Sequence, residues 1–171
     1  MSIEAMCNQA LDLIGYKRHI GSIMDGSPAA RVALNAYAET RDEVLAMQPW
    51  YFARDYTPLE PATPTPASAY WIYRFKYPSI AIRVLDVFPT NATPEELLDP
   101  IPTRWLEVND RSQVSPHRGI LTNFSPAYAA FTNRIIDFNA WPPEFTNIVI
   151  KALAEKFQRA LVGTPAKEEK Q

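Results

Sequence analysis

The sequence predicts an α+β protein: a helical bundle of about three main helices with a β-rich, hairpin-containing insertion in its middle. Three observations lead there. Apolar residues recur with a period near 3.6 through the first 49 residues and again over 142–162. Between those stretches the period falls to 2, the spacing of strands with one buried face. Proline, 16 residues in a chain of 171, gathers at 58–66, 89–102 and 142–143, where each cluster closes one periodic segment before the next begins. The expected organisation is a single domain, with helices over 1–49, a β-rich middle with proline-rich loops over 50–138, a C-terminal helix over 142–162 and a mobile charged tail over 163–171.

The first helix sets Ile3, Met6, Cys7, Ala10, Leu13 and Ile14 on one face, and Gly15 suits the positive φ of its C-cap. A second helix starts at Ser27-Pro28, an N-cap followed by proline at the first helical position. Its apolar stripe is Ala30, Ala33, Leu34, Tyr37, Val44 and Leu45, and Pro49 stops it. Arg41 interrupts that stripe. A guanidinium there requires an ion pair or several carbonyl contacts, which predicts either a lock between this helix and a neighbouring element or an arginine that snorkels at the rim.

YWIYRFKY at 70–77 alternates Trp71, Tyr73, Phe75 and Tyr77 with Tyr70, Ile72, Arg74 and Lys76, so it reads as a structural strand with a buried aromatic face. IAIRVLDVF, TRWLEVND, GILTNF and AFTNRIIDF at 80–88, 103–110, 119–124 and 130–138 read as further strands. The last helix, from Pro143 to Val162 with Gly163 as its cap, carries Phe145, Val149, Ile150, Ala152, Leu153, Phe157, Ala160 and Leu161 over more than half its circumference. An ordinary surface helix shows an apolar stripe of about 100°. This one requires more than one apolar partner, in the fold or on another subunit.

Composition narrows function. The net charge of −2 gives no global field toward DNA or anionic membrane. One cysteine permits no intrachain disulfide, and no apolar run approaches the ~20 residues of a membrane span. The N-terminal stretch lacks a basic region of the signal-peptide kind, so the chain is expected to stay where it is synthesised, in a cytoplasm, or to be built into something there. No metal motif, phosphate-cradling glycine loop or dinucleotide fingerprint occurs, so no cofactor and no enzyme activity is expected. His19 and His117 lie far apart in loop-like surroundings. Cys7, on an apolar helix face, reads as a small hydrophobe rather than a nucleophile. The competing functional reading is a single-stranded nucleic-acid-binding module, with the 70–77 aromatics as stacking platform and Arg74 and Lys76 guiding the backbone.

A set of short motifs in order carries a resemblance. They are Ile14-Gly15, Ile20-Gly21-Ser22, Arg41-Asp42, Val44-Leu45, Pro49-Trp50 and Phe52-Ala53, then Tyr73, Phe75, Tyr77-Pro78 and Arg83-Val84. Near the end come ILTN at 120–123 and WPPEFTNIVIKALAEKFQRALVG at 141–163. Together these resemble the head-to-tail connector (adaptor) proteins of tailed bacteriophages, including the tail tubular protein A and packaged-DNA stabilisation groups of short-tailed phages. The likeness covers nearly the whole chain. One departure is Ser79-Ile80-Ala81, where the family often has an acidic residue.

The resemblance implies a structural virion protein at the head–tail junction. It implies a homo-oligomeric ring, typically a dodecamer, that docks beneath the portal protein and lengthens the DNA channel. The ring then offers a platform to the downstream nozzle or tail-tube protein, and DNA passes without sequence-specific binding. Candidate subunit or portal interface residues are Arg41, Phe145, Ile150, Phe157, Leu161, Lys167 and Lys170. The charged end AKEEKQ suits a segment that orders on docking.

Overall fold

The computed structural model describes residues 2–63, 70–89, 105–110 and 117–163. Among the described residues there are three α-helices, α1 Ile3–Leu13, α2 Pro28–Met47 and α3 Pro143–Phe157, the last continuing as a wider π turn over Gln158–Val162. Six strands follow one another between α2 and α3: β1 Arg54–Pro58, β2 Tyr73–Lys76, β3 Ala81–Pro89, β4 Trp105–Asp110, β5 His117–Thr122 and β6 Ala127–Asn133. All their pairings are antiparallel, in two three-stranded sheets ordered β1-β6-β3 and β2-β5-β4. This overturns the expected helical bundle with a β-rich, hairpin-containing insertion. The chain is a mixed α+β protein whose β portion forms a compact unit of its own over Pro49–Arg134 and whose helical portion forms another from residues 1–48 and 135–171. Two sheets share one core, which a hairpin insertion cannot supply.

In the helical unit local chemistry places the ends. Ser2 and Ser27 side chains accept from the N–H groups of Ala5 and Ala30, satisfying donors that the first turn leaves open. Pro28 sits where its missing N–H costs nothing, and Gln48 before Pro49 is extended. Gly15, at φ +72°, reverses the chain after α1. The loop that follows is pinned by Asn8, whose amide donates to Ile20 O at 3.0 Å while its Oδ1 accepts from Ile20 N–H at 2.8 Å. α3 packs on both α1 and α2. Met6, Cys7, Ala10 and Leu11 of α1 are buried, as are Ala33, Tyr37, Val44 and Leu45 of α2. Two expected core positions face outward instead, Leu13 on α1 and Leu34 on α2, the latter 47% exposed. Lys156 on α3 reaches Glu39 and Glu43 of α2 at 3.2 and 2.8 Å.

In the β unit, Phe75 of β2 and Ile120 of β5 meet Val84 and Val87 of β3 and Ala127, Ala129 and Phe131 of β6 in one buried cluster. The chain after β1 joins the two sheets. Leu59 N–H donates to Ala127 O at 2.8 Å, then Lys76 N–H donates to Glu60 O and Ala62 N–H to Arg74 O, both at 2.8 Å. One run, 54–62, therefore borders β6 first and β2 next. The lateral order becomes β3, β6, residues 54–62, β2, β5, β4, which leaves β3 and β4 at its two ends.

Three strand assignments are corrected. β1 carries no expected counterpart. The strand expected over 130–138 lies earlier, over Ala127–Asn133, and Ile136 beyond it is 65% exposed. The 70–77 strand is shorter, with only Tyr73–Lys76 paired to β5.

Candidate functional site

The 70–77 stretch divides residue by residue. Phe75 is buried in the core, opposite Ile120. Tyr77 is half-buried and fully engaged: its hydroxyl accepts from Val84 N–H at 2.9 Å, and the Arg118 guanidinium lies 3.9 Å over its ring. Burial raises the Tyr77 pKa above the ordinary tyrosine value, so the hydroxyl stays protonated at neutral pH. Arg118 in turn pairs with Glu107 on β4, a clasp across β2, β5 and β4. Tyr73 is 38% exposed and Trp71 half-buried, so the buried aromatic face is partial. Tyr70 and Ile72 face solvent. Asn123 Oδ1 accepts from Ile72 N–H at 3.0 Å.

This arrangement is a poor stacking platform. Single-strand binding needs open aromatic faces beside unpaired cations. Here Phe75 is inside, Tyr77 carries Arg118 on its ring, and the Lys76 ammonium lies 3.0 Å from Glu60. A second aromatic row lies on the other sheet, where linear periodicity gave no signal because its members come from three strands. Tyr56 of β1, Phe88 of β3 and Tyr128 of β6 follow one another at 6.2 and 6.1 Å, with Arg54 5.6 Å from the Tyr56 ring centre.

The interface candidates separate sharply. Phe145 and Phe157 are fully buried and Ile150 nearly so, between α3 and its own partners α1 and α2. Phe145 and Phe157 are core residues with no side-chain surface to offer a neighbour, and Ile150 shows only an edge, in a trough between α1 and α3. The wide apolar arc of α3 is thus covered inside the fold over Phe145, Val149, Ile150, Leu153 and Phe157, while Ala152 and, in the π turn, Leu161 are half-buried and Ala160 is exposed. Lys167 and Lys170 lie outside the described residues. Arg41 is buried and paired, yet its observed partner is the adjacent Asp42, with Nε and Nη2 both 2.8 Å from Oδ1. That pair lies within α2.

Nucleophilic chemistry finds no support. Burial, followed by the Glu4 charge, pushes the Cys7 thiol up to about 12, so it is protonated at neutral pH. His19 is exposed, its Nε2 2.6 Å from Asp12 Oδ1; β5 begins at His117. Among the described residues no group of three or more His, Cys, Asp or Glu side chains is placed to hold a metal ion, and no helix is long and apolar enough to cross a membrane. The concave sites are shallow. A surface trough of about 390 Å³ between α1 and α3 is lined by Gln9, Asp12, Leu13, Asn147, Ile150 and Lys151. Its ionisable lining residues are Asp12, which pairs with His19, and Lys151.

In comparison with known proteins, the chain matches no family model and no curated sequence.

Proposed function

We propose that this chain is a structural virion protein, a head-to-tail connector that assembles as a ring beneath a portal, extends the DNA channel and presents a platform to the next tail component. The observation that carries this reading is the ordered set of motifs from Ile14-Gly15 to the 141–163 helix. The positions of those residues support it. Ile20 is held by the Asn8 side chain, Tyr77 of the Tyr-Pro pair is bonded to Val84 of the Arg-Val pair, and Asn123 of ILTN holds Ile72. The motif residues tie backbone segments together, as a scaffold requires, and none forms a reactive constellation. A net charge of −2 suits a channel wall that does not retain phosphates.

Ring contacts in this reading fall on surfaces other than Phe145, Ile150 and Phe157, which the core uses. Co-sedimentation and electron microscopy with the portal protein of the same virus test it. The expected result is a ring of copies seated on the portal. Absence of binding to that portal, assembled or free, removes the proposal. A salt-dependent oligonucleotide titration tests the competing module, and no saturable binding is expected.

A further inference from the structure

Buried polar side chains in folded proteins almost always find a hydrogen-bond partner, so an exception asks for one. Thr132 of β6 is such an exception: it is 1% exposed, and its Oγ1 has no partner among the described residues. β6 is the central strand of its sheet, and residues directly opposite one another in antiparallel strands share a face. Ala127, Ala129 and Phe131 turn to the core together with Val84 and Val87 of β3. Thr132 therefore lies on the opposite face. Its direct partners there are Arg54 of β1 and Arg83 of β3, both exposed. An orphan hydroxyl is thus flanked by an arginine on each side.

Two cations set about one residue repel, and an anion between them reverses that cost. Arg54 lies 5.6 Å from the Tyr56 ring centre, a cation–π contact that orients the guanidinium without consuming a hydrogen-bond donor. Arg83 has a contact of its own in the free chain. A guanidinium carries five N–H donors in a planar fork, so one contact leaves others for an oxyanion. The row at Thr132 holds no carboxylate. Asp86 lies one row along the same face, opposite Ala130, and its Oδ1 accepts from Val87 N–H at 2.8 Å. Asp55 is on the other face, where its oxygens accept from Tyr56 N–H and from the Asn133 amide.

Beyond the Thr132 row the face turns aromatic. Tyr56 stands opposite Ala130 and is 49% exposed, and Phe88 stands opposite Tyr128. Rows on one face are two residues apart, ~7 Å along the strand. A phosphate and the ring of its ester can bridge that span.

We propose that the Arg54–Thr132–Arg83 row binds the phosphate of a monoester whose organic part carries a planar ring laid against Tyr56. Two guanidiniums match the charge of a terminal phosphate, close to −2 at neutral pH. Its three free oxygens take both forks and the Thr132 hydroxyl, which rotates to donate. Oγ1 is reached when the long, exposed arginine side chains swing aside, a ps–ns motion. An internal phosphodiester offers one charge and two free oxygens, so it fits this row less well. The site is local and does not depend on the connector reading.

The test titrates the full chain with adenosine monophosphate, followed by calorimetry and by the amide and methyl chemical shifts of Thr132. Saturable binding is expected, about tenfold weaker for inorganic phosphate, which lacks the ring. None is expected for adenosine or for an oligonucleotide without terminal phosphate. Thr132→Val removes a hydroxyl that has no partner in the free chain, so the fold stays intact while affinity falls about tenfold. Arg54→Gln and Arg83→Gln are expected to weaken binding at least as much, and Arg31→Gln on α2 to leave it unchanged. No saturable binding of adenosine monophosphate by the natural chain overturns the proposal. So does Thr132→Val binding as tightly as the natural chain, adenosine or inorganic phosphate binding as tightly as the monophosphate, or Arg31→Gln losing affinity like Arg54→Gln. Portal binding by Thr132→Val is read separately, so either proposal can fail without the other.

Discussion

The helical and β units reach closure by different means. In the helical unit the quantity to be satisfied is apolar area. α3 offers more than one stripe, and α1 and α2 cover it, leaving Phe145, Val149, Leu153 and Phe157 without exposure. In the β unit the quantity is backbone hydrogen bonding. Its core is completed across two sheets, and the edges of β1 and β3 are closed one donor at a time by Asp55, Asp86, Tyr77, Pro58 and Pro89. Helices satisfy their own backbone, so only their faces seek partners. Strands satisfy half of theirs at an edge, so both face and edge do.

The largest expected effect breaks the helical half of this contrast. Phe157→Ala removes a fully buried ring between three helices and is expected to cost about 3–5 kcal/mol. Amide hydrogen exchange should then lose protection over 3–47 and 143–157 while β5 and β6 keep theirs. Phe75→Ala should give the reverse pattern. Equal loss in both units for either variant shows that they unfold together and that the division is one of geometry alone.

A smaller effect opens an edge. Tyr77→Phe leaves the ring under Arg118 but deletes the acceptor for Val84 N–H. The cost is about 1–3 kcal/mol, that of an unsatisfied donor, read from the denaturant midpoint. Light scattering is expected to rise as well, because β3 then presents a free donor. Stability loss without added association would separate the hydroxyl's bond from edge protection.

Alkaline pH addresses the helical unit. Burial raises both Cys7 and Tyr37 to about 12, from ordinary values of 9.0 and 10.0. Between those limits the unfolded chain releases protons that the folded chain retains, so folding stability falls as pH rises from about 9 toward 12. Urea midpoints measured across that range should decline, and Cys7→Ala should flatten the first part of the decline. A natural chain with a constant midpoint would show that neither group is shielded.

Sequence legibility follows the same division. Helix ends are local, and Ser27-Pro28, Gly15 and Gly163 are readable because each requirement is met within a few residues. The breadth of the α3 arc was legible too, but not whether the fold itself would cover it. Strand positions were less readable. RDYTP in β1 has one aromatic and two charges, and only its pairing with β6 makes it a strand. β6 buries Ala127, Ala129 and Ala130, small residues of weak strand preference, while the more hydrophobic Ile135-Ile136 lies beyond its end. Of the candidate surface, the 70–77 alternation correctly placed Phe75 inside and Ile72 outside. The Arg54–Thr132–Arg83 row cannot be read from sequence, because its members lie far apart in the chain and meet only through strand register.

The smallest prediction concerns one group that escapes the closure of the β unit. Thr132 on β6 is buried, and its Oγ1 has no hydrogen-bond partner among the described residues. A hydroxyl removed from water without a partner destabilises the folded state. Thr132→Val keeps the branched shape that a strand favours and removes that group, so it is expected to stabilise by about 1 kcal/mol. Thermal unfolding should then rise by ~2–4 °C for a chain of this size. If β-unit stability is set by pairing polar groups rather than by added apolar area, Thr132→Val should gain more than Ala130→Val, which adds bulk at a site already filled. A larger gain from Ala130→Val would show that packing, not hydrogen-bond closure, limits this unit as well.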